Sequence, residues 1–178
     1  MLRRGCVIVL FVAATLWAAA ILAAPQVVAT GAEHPVLSGL GGLTYVIGSL
    51  VCHQRPERSF HAAGVQYPVC ARCTGIYLGA AIGVAIAIAL WGFSSSRRLP
   101  VSVVYRRWRL IFVVAVVPTA VSIILERLGG PTGLPSRAVA GLPLGMAAAA
   151  FVAAVVLGHF AQDFTGQATR VAGPGSGV

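Results

Sequence analysis

Four long stretches of this chain carry no charged side chain, and they constrain its fold more than any other feature. Residues 7–24 are apolar apart from Thr15, and 76–93, 110–125 and 138–157 hold no charge at all. A helix rises about 1.5 Å per residue and the hydrocarbon core of a bilayer is about 30 Å thick, so runs of about 20 residues suit a crossing. The expected fold class is therefore all-α: a polytopic integral membrane helix bundle with transmembrane helices over about 7–24, 76–93, 110–125 and 138–157. Composition agrees, with 58% hydrophobic and only 10% charged residues, where soluble domains carry roughly 25% charged ones. The net charge of +9 comes entirely from arginine. In a membrane protein such an excess is first a topology signal, so the lipid bilayer is the expected partner and nucleic acid is not.

Residues 36–51 are also apolar, but Gly39, Gly41, Gly42 and Gly48 with Ser38, Thr44 and Ser49 make them a poor lipid-facing helix. A re-entrant segment, an interfacial helix and a fifth span are the alternatives. Residues 94–109 carry Arg97, Arg98, Arg106, Arg107 and Arg109 without an acid, which assigns them to the cytoplasm. Counting crossings from there puts 52–73 and 129–137 together on the opposite side, whichever way the chain is oriented. Four spans also place Arg3, Arg4 and Arg170 in the cytoplasm, so both termini are expected there, in the inner (plasma) membrane. Cleavage of the first helix as a signal peptide is the rival reading, although its apolar run is long for that role. Residues 1–165 read as one membrane domain and 166–178, rich in Gly, Ser and Thr, as a disordered tail. Gly75, Gly79 and Gly83 recur every fourth residue, as do Gly141 and Gly145, a spacing that lets membrane helices approach closely. A second copy of the chain is a further partner that such helices allow.

Chemistry concentrates in 52–75. There the chain reads Cys52-His53-Gln54-Arg55-Pro56-Glu57-Arg58-Ser59-Phe60-His61, then Pro68-Val69-Cys70-Ala71-Arg72-Cys73-Thr74-Gly75-Ile76-Tyr77. These two strings resemble the signature of an uncharacterised family of small prokaryotic membrane proteins, a domain of unknown function. The resemblance covers 51 to about 145 and implies no activity. Many members carry an acid, a glycine and a glutamine soon after the proline of the next helix. This chain departs from that pattern, reading Thr119-Ala120-Val121-Ser122 after Pro118, with Glu126 as the only nearby acid. Ser136-Arg137, Gly141 and Gly145 fit the pattern.

Three readings compete for the cysteines. In the first, Cys52, Cys70 and Cys73 supply thiolates and His53 or His61 a nitrogen to a metal. Such a set suits zinc, and its soft sulfur would also accept copper(I) or an iron–sulfur cluster. In the second, Cys70-x-x-Cys73 at a helix mouth, with Cys52 as a further thiol, performs thiol–disulfide exchange with a quinone or a protein, as in the quinone-linked disulfide-forming enzymes it resembles. Nearby arginines would favour the thiolate. In the third, a structural disulfide leaves a non-enzymatic scaffold that binds anions or lipid. Cys6 reads as a small apolar residue of the first helix. Arg55, Arg58 and Arg72 either snorkel to lipid phosphates or gather an anion. Glu126, a carboxylate at the end of a membrane helix, is costly unless paired, and Arg137 is free to reach it. One polar cluster of Arg55, Arg58, Arg72, Glu126 and Arg137 beside the cysteines is expected. His34 and His159 read as polar residues near the membrane surface. No phosphate-binding glycine loop or metalloprotease string occurs, so no reaction, catalytic residue or protein partner is assigned from the sequence.

Overall fold

In a computed structural model of the protein, residues 2–30, 35–92, 101–130 and 132–157 are described. They form five helices: α1 (Leu2–Ala29), α2 (Pro35–Val51), α3 (Ala71–Ala87), α4 (Val101–Arg127) and α5 (Leu134–Val156). A π-helical turn, Ile88–Gly92, continues α3. A 3-10 turn, Pro56–Arg58, and a small hairpin of β1 (His61–Ala62) and β2 (Val65–Gln66) lie between α2 and α3. Four stretches, Arg4–Ala29, Ala71–Leu90, Arg107–Arg127 and Leu134–Val156, are long and apolar enough to cross a membrane. The expected all-α polytopic bundle is what these residues build.

α1, α4 and α5 are longer than their uncharged runs, and α3 begins before its own. α3 begins at Ala71 rather than 76, because Cys70 takes an extended N-cap conformation straight after Pro68-Val69; Arg72 and Cys73, read as loop residues, thus lie on the first helical turn. α4 begins at Val101, so Arg106, Arg107 and Arg109 extend the helix instead of forming a loop. Arginine is a good helix former and a long side chain can carry its charge away from the apolar core. Pro135 sits in the first turn of α5, where its missing N–H costs nothing. Residues 93–100, with Arg97 and Arg98, and the tail 166–178 lie outside the described residues, as do His34 and His159.

The bundle is built on α3 and α5. A Cβ on Gly75, Gly79 or Gly83 would overlap the backbone carbonyls of Ala138, Leu142 and Met146, and one on Gly141 or Gly145 would overlap those of Arg72 and Ile76. The two backbones are in contact along three turns, which only glycine permits. α4 packs on α5 through Trp108, Phe112 and Phe151, whose rings meet edge to face or tilted at 5.2–6.1 Å, and through Thr119, whose Oγ1 donates to the Ala140 carbonyl at 2.7 Å. α1 runs antiparallel to α3: Val7 joins Val84, Ala87 and Ala153 at one end, while Trp17 meets Tyr77 and Ile21 meets Val69 towards the other. The start of α1 and the end of α5 therefore share one end of the bundle.

α2, at 17 residues, is an apolar helix shorter than those four stretches. It doubles back along α1, with Gly41 against Ala24, Val27 and Val28, and ends where Cys52 reaches Ile21 and Val69, beside the start of α3. Its outer face exposes Val36, Leu40, Leu43, Val46 and Leu50. The segment is a helical hairpin arm on the same end of the bundle as the cysteines.

The glycine seam generates a prediction. Gly79→Ala should destabilise the protein by about 1–3 kcal/mol or prevent its folding, because the methyl group meets backbone rather than a movable side chain. Gly39→Ala, where the space around the new Cβ is open, should leave stability unchanged or slightly improved. Thermal unfolding of the two variants in detergent checks the contrast.

A candidate metal centre beside an arginine-clasped carboxylate

The loop that carries the cysteines is held by glutamine side chains. Gln54 sits in the left-handed region (φ 46°), and its Nε2 donates to the carbonyls of Tyr45 at 2.9 Å and Pro68 at 2.7 Å, tying the end of α2 to the approach to α3. Gln66 Nε2 donates to the Gln54 carbonyl at 2.6 Å, and the Tyr45 hydroxyl donates to the Gln66 carbonyl. Ser59, fully buried, donates to the Arg55 carbonyl at 2.9 Å and closes the 3-10 turn. Gly48 lies so close to the Pro68 carbonyl that a Cβ would overlap it. The hairpin turns at Ala63 (φ 52°) and Gly64 (φ 76°), the two positive values of a two-residue turn.

This frame brings three thiols together. The Sγ atoms of Cys52, Cys70 and Cys73 all lie within 4.8 Å of one another, although Cys52 and Cys70 are 18 residues apart in sequence. The Cys70 backbone N–H donates to Cys52 Sγ at 3.2 Å. On one side the sulfurs are covered by Ile21, Val69, Trp17 and Tyr77; on the other they border a cavity of about 580 Å³ that His53, Arg58, Arg72 and Glu126 also line. All four cysteines are free thiols, and Cys6 lies exposed on α1, far along the chain from the site. Hydrogen bonding from the Cys73 side chain, with backbone N–H groups at the start of α3, holds the Cys70 thiol well below its ordinary range, at about 5, against the opposing effect of burial.

Neither histidine completes the expected set. His53 lines the cavity, but its ring lies outside the sulfur group, and His61 is exposed on β1. Cys52, whose N–H still bonds the Gly48 carbonyl at the end of α2, is buried while His53 beside it is exposed, so the protein contributes three ligands of one kind.

Next to the sulfurs, Glu126 at the end of α4 gathers three arginines from three different segments. Arg72 Nη2 donates to Oε2 at 3.1 Å and to Ser122 Oγ at 3.2 Å. Arg58 Nη2 lies 2.8 Å and Arg137 Nη2 3.7 Å from Oε1. Arg137 is steadied by Thr132 Oγ1 at 3.1–3.3 Å. Glu126, Arg72 and Arg137 are 13–19% exposed, so they turn inward instead of reaching to headgroups. Arg55 stands apart, 3.9 Å from Glu57, with both side chains more than half exposed, an arrangement that contributes little to stability. The two loops that crossing arithmetic placed in one compartment thus meet through Glu126. The roles of Gln54, Gln66, Ser59 and Tyr45 escape sequence reasoning about reactive groups; two glutamines close together in the cysteine-bearing loop are the signal that marks them.

Residues 52–151 match a family described as "Predicted membrane protein (DUF2085)". An uncharacterized protein of Methanocaldococcus jannaschii is 36% identical over 85 residues, 48% of this chain and 49% of that protein. An uncharacterized protein of Methanothermobacter thermautotrophicus is 63% identical over 30 residues, 17% of this chain and 27% of that one. The chain thus spans about half the length of the first curated relative and about a quarter of the second. No solved structure matches.

Two outcomes follow from this geometry. Glu126→Gln removes the one carboxylate that offsets three arginines, and should lower stability by about 3–5 kcal/mol, the range for breaking a largely buried ion pair, read from detergent unfolding curves. In metal-free, reduced protein, alkylation of Cys70 should reach half its maximal rate near pH 5 and stay flat above about pH 7, because a lowered pKa keeps the thiolate populated at higher pH; mass spectrometry of the labelled peptide reports it.

Proposed function

Since the chain belongs to the DUF2085 family of membrane proteins, whose description names no activity, its function has to be argued from its site, and we propose that Cys52, Cys70 and Cys73 bind a soft metal ion, zinc first. The observation that carries this reading is the convergence of three sulfurs within 4.8 Å. Zn–S bonds of about 2.3 Å in a tetrahedral site need sulfurs somewhat under 4 Å apart, so a small contraction of the group suffices. A thiolate is the form that binds metal, and Cys70 is poised in that form. Three thiolates around a divalent ion carry a net negative charge, which the arginine-lined cavity offsets. With three protein ligands, the fourth position would face that cavity and be filled by water or by an incoming group. Three-ligand zinc sites of this kind serve reactivity or metal transfer, whereas a closed four-ligand site serves structure alone. Copper(I) is the alternative metal that the same sulfurs accept.

A second reading has its own observation: Cys70 at the N-cap of α3, hydrogen-bonded to Cys73, has the form of a nucleophilic thiolate with a partner thiol one turn away. Thiol–disulfide exchange with a membrane quinone or a protein is the function that arrangement supports. In either case the positive-inside rule assigns residues 94–109 to the cytoplasm, both termini with them, and the sulfur site to the outer side of the inner membrane.

One experiment separates the two. Protein purified anaerobically should carry about one equivalent of zinc or copper by elemental analysis, and Cys70→Ser should lose most of it. Metal-free protein whose Cys70 and Cys73 cycle between dithiol and disulfide with a quinone would instead establish exchange.

A further inference from the structure

We propose that the cavity over the Glu126 clasp is a binding site for a phosphate-type oxyanion, taken either free or as the headgroup of a lipid. The inference stands on the arginines and does not depend on a metal at the cysteines.

Charge imbalance is the first argument. Arg55, Arg58, Arg72, Arg127 and Arg137 line this cavity of about 580 Å³, and Glu126 is the one carboxylate among its lining residues. A single carboxylate offers one charge and two oxygens, and even a tris-thiolate zinc centre with a charge of −1 would leave an excess of about three positive charges. Such an excess in a partly enclosed space attracts a multiply charged anion, because field lines are focused between low-dielectric walls.

Unused donor capacity is the second. Arg72 Nε and Arg137 Nη1 are buried without a hydrogen-bond partner, as is Glu126 Oε1, and the two donors outnumber that one acceptor, a costly condition inside a protein unless a further acceptor is added nearby. These two guanidiniums fix the field from below. Arg58 gives one nitrogen to Glu126 and remains 41% exposed, and Arg55 is 59% exposed. Both can therefore present planar forks to an anion in the cavity, the geometry that suits phosphate oxygens. Inward orientation argues against simple anchoring of Arg72 and Arg137 at the membrane surface, since anchoring side chains extend outward to the headgroups.

The rim of the cavity explains how a lipid headgroup could be the source. Val51, one of its lining residues, is 57% exposed, and Leu50 beside it is 80% exposed at the end of α2. Apolar surface of this kind next to a basic cavity accommodates an amphiphile with its chain against α2 and its anionic head over the arginines.

The test uses the full chain in a nonionic detergent for radiolabelled inorganic phosphate, and in nanodiscs of phosphatidylcholine with or without phosphatidic acid for lipid retention. Wild type should bind phosphate saturably, or retain phosphatidic acid over phosphatidylcholine; the first result identifies a free oxyanion and the second a headgroup. Arg58→Gln should weaken whichever is bound by at least about tenfold, equivalent to loss of one charge-assisted hydrogen bond. Arg55→Gln, at a residue whose one ion pair is with exposed Glu57, should weaken it in the same direction and keeps the test valid if Arg58→Gln fails to fold. Cys6→Ser, at an exposed thiol of α1 that does not line the cavity, should bind as wild type does. Absence of both saturable phosphate binding and lipid preference overturns the proposal. So does binding that the arginine variants leave unchanged, or binding lost in Cys70→Ser alone, which would assign the anion to a metal.

Discussion

The backbone contact between α3 and α5 is the constraint on which the site depends. Gly75 faces Ala138, and Gly141 faces Arg72, so the seam of touching backbones runs directly under the residues that carry the chemistry. It fixes the first turn of α3, with Cys70, Arg72 and Cys73, against the first turn of α5, with Arg137. A side chain at any of these glycines would move the two helix ends apart by more than the tolerance of a hydrogen bond. In a bilayer, where lipid is as apolar as the helix faces, such close packing takes over much of the cohesion that the hydrophobic effect supplies in water.

On that base the polar end of the molecule divides into two halves with different physics. The sulfurs lie against an apolar wall of Ile21, Val69, Trp17 and Tyr77, which keeps water from one side of the group. The arginines converge on Glu126, which links α3, α4, α5 and the 3-10 turn through one side chain. Glu126 thereby joins α4, which otherwise packs on α5, to the cysteine-bearing helix. Both halves open onto one cavity, so a soft-metal or thiol centre and an excess of positive charge share the same small volume.

Much of this was legible from residue order. Uncharged runs located the four crossing helices, and the spacing of Gly75, Gly79 and Gly83 identified the face of α3 that packs. Crossing arithmetic joined Glu126 and Arg137 to the cysteine side without any knowledge of orientation. Helix ends were less legible, because arginine is tolerated at a membrane boundary as readily inside a helix as in a loop; α4 consequently begins before Arg106, Arg107 and Arg109. The cysteine-bearing first turn of α3 was read as loop for a related reason, since charge at Arg72 interrupts the apolar run but does not interrupt the helix.

Residue types alone determined that this chain is a multi-crossing helical protein whose few polar groups collect at its two ends, with the cysteines, Glu126 and Arg137 at the same one, because unpaired charge is expelled from hydrocarbon and must collect where it can be solvated or paired. Which of those groups touch was decided only by the tertiary structure. Cys52 joins Cys70 and Cys73 because α2 folds back along α1 and stops level with the start of α3, while His53 beside it is left exposed. The depth at which a helix hairpin ends is a property of packed backbone, and no count of ligand types in the sequence contains it.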